Sequence, residues 1–289
     1  MSFLTVENLT HIYSSSEKRG KAAINNISFS VNKGEVLGII GHTGSGKSTL
    51  VSHLNGLIKP TSGRVLIDGE DIWANPKEIK KIRAKVGLVF QYPEYQLFEE
   101  TVYEDIAFGP KNLGKTDEEL DSVVKRAAEI MSVSEKLFNK SPFDLSGGQK
   151  RRVAIAGVLA MQPEIVVFDE PTAGLDPIGR ETIFKAISDY KNNYNATVII
   201  VSHSMEDIAA ICDKVLVLNK GNVAMFDTAR NVFSKADELK ALGLGVPMVS
   251  SVFALVKEAF PGFKDNPLTV SEGVEALKKY FTDGGASND

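Results

Sequence analysis

A glycine-rich turn between an apolar strand and a helix constrains this chain more than any other feature. Residues 36–40, V-L-G-I-I, read as a buried strand that runs straight into Gly41-His42-Thr43-Gly44-Ser45-Gly46-Lys47-Ser48-Thr49. Leu50 and Val51 then continue an amphipathic helix that opens at Ser48. The run fits G-x-x-x-x-G-K-[ST], in which glycines let backbone N–H groups converge on phosphate oxygens at a helix start carrying about half a positive charge. Lys47 is expected to reach the outer phosphates and Ser48 to ligate magnesium. A strand feeding such a loop belongs to an α/β fold with a parallel sheet, so further strands should deliver chemistry to the same edge.

Three candidates do so. Ile165-Val166-Val167-Phe168 leads into Asp169 and Glu170. Two carboxylates at a strand end can divide the labour, Asp169 holding magnesium and Glu170 orienting and partly deprotonating an attacking water. The strand Thr197-Val198-Ile199-Ile200-Val201 delivers Ser202 and His203, and His203 is read as a contact to the terminal phosphate. Residues 86–90 form another strand, ending at Gln91, and Tyr92-Pro93-Glu94 breaks it into a largely helical insertion that reaches Phe143. Gln91 is thus placed to join the magnesium region to a movable subdomain. His11, His42 and His53 share no metal-ligand spacing, and their side chains are assigned no chemistry.

Bulk properties narrow the rest. The 289 residues suffice for one large α/β domain and a small appendage. A formal net charge of −4, with Lys150-Arg151-Arg152 as the largest basic block, argues against a nucleic-acid track, and that triplet reads as a solvated helix face. Cys212 is the only cysteine, so no intrachain disulfide forms and a reducing compartment is expected. No signal peptide and no apolar run of about 18 residues is evident, which predicts a soluble, cytoplasmic protein.

Leu145-Ser146-Gly147-Gly148-Gln149 has a different character. Ser146 and Gln149 have the spacing of a capping box, an ordinary helix start, and an apolar-rich stretch follows from Val153 to Leu159. Two glycines at an exposed helix start also let a phosphate approach the backbone, yet no catalytic side chain accompanies them.

Taken in order, Tyr13, GHTGSGKST, Gln91, LSGGQ, IVVFDEP, Ala173-Gly174-Leu175-Asp176 and His203 resemble the ATPase subunits of ABC transporters, over roughly residues 4–226. The resemblance implies ATP and Mg2+ as ligands and a sandwich dimer. In it, Ser146, Gly147, Gly148 and Gln149 of one subunit close over ATP held by the partner's phosphate loop. It also implies that Tyr13 is a platform for adenine, although a strand tyrosine can simply pack on its sheet and the polar run 14–21 lies beside it. Thr49 would touch the α-phosphate, Gln91 would sense magnesium and water, and Asp176 would act across the dimer interface. Only the backbone of His42 would matter to the phosphates.

Residues 90–98, F-Q-Y-P-E-Y-Q-L-F, and 101–110, T-V-Y-E-D-I-A-F-G-P, are similar to the coupling region of the energy-coupling factor transporters, the vitamin and transition-metal importers of the ABC superfamily. Tyr92, Pro93, Tyr95, Leu97 and Phe98 make an apolar, aromatic cluster suited to a partner helix. The resemblance implies that a transmembrane scaffold subunit docks near Gln91, Tyr92, Glu94, Tyr95 and Phe98, with Glu94 and nearby acids available to its arginines. A substrate-binding membrane subunit would be engaged only indirectly. GHTGSGKST itself resembles the second of two paralogous ATPases, which favours a heterodimer over a homodimer. The chain would then sit at the cytoplasmic face of the cell membrane.

The expected architecture is an ABC-type P-loop α/β ATPase domain over residues 1–228, β-rich at its N-terminus, with a helical subdomain inserted at about 92–150. A C-terminal helical extension over 229–289 serves as a dimerisation region by analogy. It reads as one short helix over 231–242 and two more over 249–260 and 270–281, the last presenting Val274, Leu277 and Phe281 on one face. Two other readings stand beside this one: a conventional ABC importer ATPase with a regulatory tail, and an ABC-type ATPase acting on ribosomes or nucleic acid.

Overall fold

A computed structural model describes residues 2–13 and 22–282. The polar run 14–21 and the tail 284–289 lie outside the described residues. Two sheets organise the chain. The first is antiparallel, in the order β2-β1-β4-β5, from Leu4–His11 (β1), Ile24–Val31 (β2), Ser62–Ile67 (β4) and Glu70–Asp71 (β5). The second has six strands in the order β10-β9-β3-β8-β7-β6. These are Val36–Ile40 (β3), Val86–Val89 (β6), Ile165–Asp169 (β7), Thr197–Val201 (β8), Lys214–Asn219 (β9) and Asn222–Thr228 (β10). All pair in parallel except β10 on β9.

Unbroken apolar strands follow from burial on both faces. In β7, Val166 and Phe168 face one core while Ile165 and Val167 face the other. The second core lies between the two sheets and takes in Leu50, Val51 and Leu54 of helix α1, Lys47–Leu54. The first core lies under the helices. It joins the inserted subdomain, α3 (Val102–Asn112), α4 (Asp117–Ile130) and α5 (Gly147–Ala160), to α6 (Pro177–Tyr194) and α7 (Met205–Ile211). A further short helix, α2 (Ile79–Lys85), precedes β6.

Beyond β10 the chain forms α8 (Ala229–Ser234), α9 (Ala236–Ala241), α10 (Met248–Ala259) and α11 (Val270–Thr282). The single helix read over 231–242 is two, broken at Lys235, whose φ of −93° and ψ of 52° leave the helical region. Val232, Phe233, Leu239 and Leu244 are buried in the first core, so this part docks on the ATPase body. On α10 and α11, by contrast, Met248, Leu255 and Val270 are exposed.

Candidate nucleotide site

Four adjacent parallel strands end at one edge. β3 delivers the glycine loop, β8 delivers His203, β7 delivers Asp169 and Glu170, and β6 delivers Gln91. Their side chains line one cavity of about 480 Å3 with Ala23, Thr43, Gly44, Gly46, Ser48 and Thr49.

The loop needs its glycines for geometry. A Cβ on Gly41 would sit 2.3 Å from the Leu218 carbonyl oxygen, and Gly46 has φ +106° with Ala23 O 2.8 Å from its Cβ position. Gly46 also caps α1 without a side-chain acceptor, leaving the first helical N–H groups for a ligand. Lys47 is buried and donates to the carbonyls of Gly41 and His42, the latter at 3.0 Å. Three ammonium protons less two leave one for a phosphate. Burial lowers the Lys47 pKa, against the charges of Glu170 and Asp169.

Glu170 is the most perturbed acid of the cavity. Burial first, then Asp169, push its carboxyl up to about 7 against the opposing pull of Lys47. Its Oε1 is buried without a hydrogen-bond partner, and its backbone has φ +52°, a conformation that costs on the order of 1–3 kcal/mol in a side-chain-bearing residue. His203 Nε2 lies 3.6 Å from that oxygen. Burial also raises Asp169, with Lys47 opposing. Ser48, Gln91 and Asp169 present only oxygen ligands to this cavity once the Gln91 amide turns its carbonyl inward, a donor set that fits hard Mg2+ completed by phosphates and water.

Tyr13 is half-exposed, with its hydroxyl 3.3 Å from Thr49 Oγ1 and its ring edge-on to His11 at 4.5 Å. His11 in turn meets the fully buried His53 at 4.8 Å. Ser146 and Gln149 form the full capping box: Gln149 N donates to Ser146 Oγ and Ser146 N to Gln149 Oε1. These four residues do not line the phosphate cavity. Gly148 borders a separate cleft with Gly174 and Asp176, and Asp176 Oδ1 caps α6 by accepting from Gly179 N at 2.7 Å.

Two expectations are corrected. Lys150-Arg151-Arg152 is not a solvated face, because the Arg151 side chain is 4% exposed. Arg151 grips both oxygens of Glu94, at 3.0 and 2.9 Å, and donates to the carbonyl of Ala173 at 2.6 Å. Glu94 is therefore not free for a partner's arginine. Burial opposes its ionisation, but the hydrogen bonds and charge of Arg151 hold the carboxyl below its usual range. Spacing could have revealed Arg151, which falls at i, i+4, i+8 with Ile155 and Leu159 on the buried face of α5. The second correction is thus Glu94; His42, for its part, turns its imidazole away from the phosphate cavity, and Nε2 bonds the Leu242 carbonyl at 2.8 Å. No local pattern marks that contact, 200 residues away in sequence.

The partner cluster also divides. Pro93 is buried, and Leu97 and Phe98 line a largely apolar groove of about 630 Å3 with Phe108, Leu113 and Met161. Tyr92 and Tyr95 lie outside that lining; Tyr95 is 84% exposed. Asp105 Oδ2 is buried at the groove without a hydrogen-bond partner.

A phosphate loop, paired strand-end carboxylates and a capped glycine signature on one α/β body define a nucleotide-hydrolysing cassette, and the ABC transporter family model matches residues 24–173. The chain is 50% identical, over 96% of its length and 97% of that protein, to "Energy-coupling factor transporter ATP-binding protein EcfA2" of Clostridium tetani. Among solved structures it is similar to cbiO1 from Clostridium perfringens, part of the ABC transporter complex cbiONQ. The TM-score there is 0.75 and the identity 37%, covering 89% of this chain and 99% of that one. A dimeric ATP-binding cassette in a post-hydrolysis state with ADP and Pi gives 0.70 at 31% identity, covering 78% and 99%. The chain belongs to the energy-coupling factor transporter ATP-binding proteins of the ABC transporter family; it binds ATP, and its activity is ATP hydrolysis coupled to transport. The resemblance to the second paralogue agrees with the name of that relative.

Proposed function

We propose that this chain is one half of an ATP sandwich, whose closure on the cytoplasmic face of a membrane drives uptake of a vitamin or transition-metal ion. The observation that carries the sandwich is the start of α5. A Cβ at Gly147 would meet nothing within 4 Å, and one at Gly148 only Arg152 Nη1 at 3.9 Å. Packing among the described residues gives no reason for two glycines there. A ligand held by a second subunit does, and the similar post-hydrolysis cassette is a dimer. Ser146 and Gln149 cap the helix and face that ligand with the same exposed turn.

In this reading Lys47, Thr49 and the loop amides, Gly41 to Ser48, hold the phosphates, with Tyr13 beside the adenine. Ser48, Asp169 and Gln91 would hold Mg2+, which would supply neutralisation of phosphate charge. Glu170 orients and activates water, and His203 contacts the γ-phosphate. A protonated Glu170 cannot serve as a base, so water activation draws on its ionised form, which burial and Asp169 disfavour and Lys47 favours.

No helix among the described residues is long and apolar enough to cross a membrane, so attachment runs through a scaffold subunit. The groove between α3 and α5 takes a helix of that subunit, with Asp105 rather than Glu94 as the acid for its cation. Gln91 and Glu94 lie on the segment that joins groove and nucleotide cavity. A heterodimer with the first paralogue is favoured, and the exposed face of residues 248–282 contributes to it. Affinity purification from native membranes tests this reading: a hydrophobic scaffold and a small substrate-binding membrane protein should copurify, whereas dependence on a periplasmic-type binding protein would point to a conventional importer.

A further inference from the structure

His42 holds two structures at once. Its carbonyl accepts from Lys47 Nζ at 3.0 Å and from Ser45 N at 3.0 Å, which ties it to the phosphate cradle. Its imidazole reaches out of the loop to the Leu242 carbonyl at 2.8 Å, at the turn that ends α9. A carbonyl only accepts, so Nε2 carries the proton and donates. The turn is firmly placed on its own side. Gly243, at φ +71°, donates to Lys240 O and Leu244 N donates to Leu239 O, with Leu239 and Leu244 buried in the core. A few residues on, Met248 N donates to Glu206 Oε1, three residues after His203. The start of the C-terminal extension thus touches the elements on two sides of the nucleotide cavity.

The loop itself is built on Gly41, Gly44 and Gly46, all at positive φ, and glycines lose the most freedom on being fixed. An anchored side chain among them reduces the entropy that nucleotide binding must remove. We infer that His42 is a positioning residue that couples nucleotide held in the phosphate loop to the turn 242–243, and through it to the C-terminal extension. Coupling of this kind is reciprocal: if the turn steadies the loop for nucleotide, nucleotide steadies the turn. This rests on the ATP-binding reading of the loop.

The test is nucleotide affinity together with amide exchange of residues 236–248 in the full chain, using Mg-AMP-PNP. Wild type is expected to bind and to slow exchange at this turn. His42→Ala should bind about five-fold more weakly, the scale of one lost hydrogen bond, with secondary structure retained, and should lose the exchange response. His42→Gln, whose amide can donate with similar reach, should restore most of both. Gly243→Ala places a Cβ 2.6 Å from His42 Nε2 and should weaken binding from the other side of the contact. Wild-type affinity in His42→Ala or Gly243→Ala, or an undiminished exchange response in His42→Ala, overturns the inference. Absence of nucleotide binding by wild type itself would instead overturn the reading on which it rests.

Discussion

His203 Nε2 stands 3.6 Å from Glu170 Oε1, a carboxylate oxygen buried without a hydrogen-bond partner. The gap is too long for a direct hydrogen bond. Burial, then Lys47 and His42, lower the pKa of His203, so it faces Glu170 as a neutral ring near pH 7. Glu170→Gln keeps the shape of this corner and removes its basicity. ATP binding should persist while phosphate release falls about 100-fold to 10,000-fold. Unchanged turnover would refute Glu170 as the base.

Stability should respond to the same carboxyl. Glu170 is raised from 4.5 to about 7 in the fold, so the folded chain holds more protons than the unfolded chain between those values. Its ionisation therefore costs stability as pH rises through that window, and the cost is complete above about pH 7. In metal-free, nucleotide-free buffer, Glu170→Gln should match wild type at pH 4.5 and exceed it by on the order of 2 kcal/mol at pH 8. Urea melts at the two pH values decide this; a difference independent of pH would contradict it.

Arg151, buried, and Glu94, half-buried, form a pair tied to the loop that follows Glu170, since Ala173 accepts from Arg151 while its own N–H donates to Glu170 O at 3.2 Å. Removing one partner strands the other charge. Glu94→Ala should cost roughly 3–5 kcal/mol of stability, and the paired change Glu94→Met with Arg151→Met much less. Equal losses in the single and double variants would show that no such coupling exists.

At the groove, Asp105→Asn removes a charge from an unpaired buried oxygen without touching the nucleotide cavity. Scaffold association should weaken by about ten-fold or more while ATP affinity of the isolated chain is retained. Pull-down with a tagged scaffold subunit measures it, and unaltered association would remove Asp105 from the interface.

What sequence revealed and what it hid divide along local and non-local lines. Val36–Ile40, Ile165–Asp169 and Thr197–Val201 were legible because both of their faces are buried, and each carries its functional residue just past its end. The capping box of Ser146 and Gln149 was legible because it is closed within four residues. Arg151 was hidden by reading three basic residues as one block, although its helical spacing pointed inward. His42 and Leu242 meet only through tertiary packing of α9, which no window on either segment contains. Glu94 and Asp105 sit in one acidic, aromatic stretch, and only the course of α5 decides that Glu94 pairs with Arg151 while Asp105 accepts from the Phe98 and Glu99 amides with one oxygen and leaves the other unpartnered.

The central claim is that Ser146 and its neighbours act on nucleotide held by a different subunit. The direct measurement uses a dimer in which this chain and its partner carry distinguishable tags, both blocked in hydrolysis, with photoreactive ATP counted on each. Ser146→Arg in this chain should leave ATP on its own phosphate loop and deplete the partner's, whereas Lys47→Ala should do the reverse. Loss of label from this chain alone on Ser146→Arg would contradict the account.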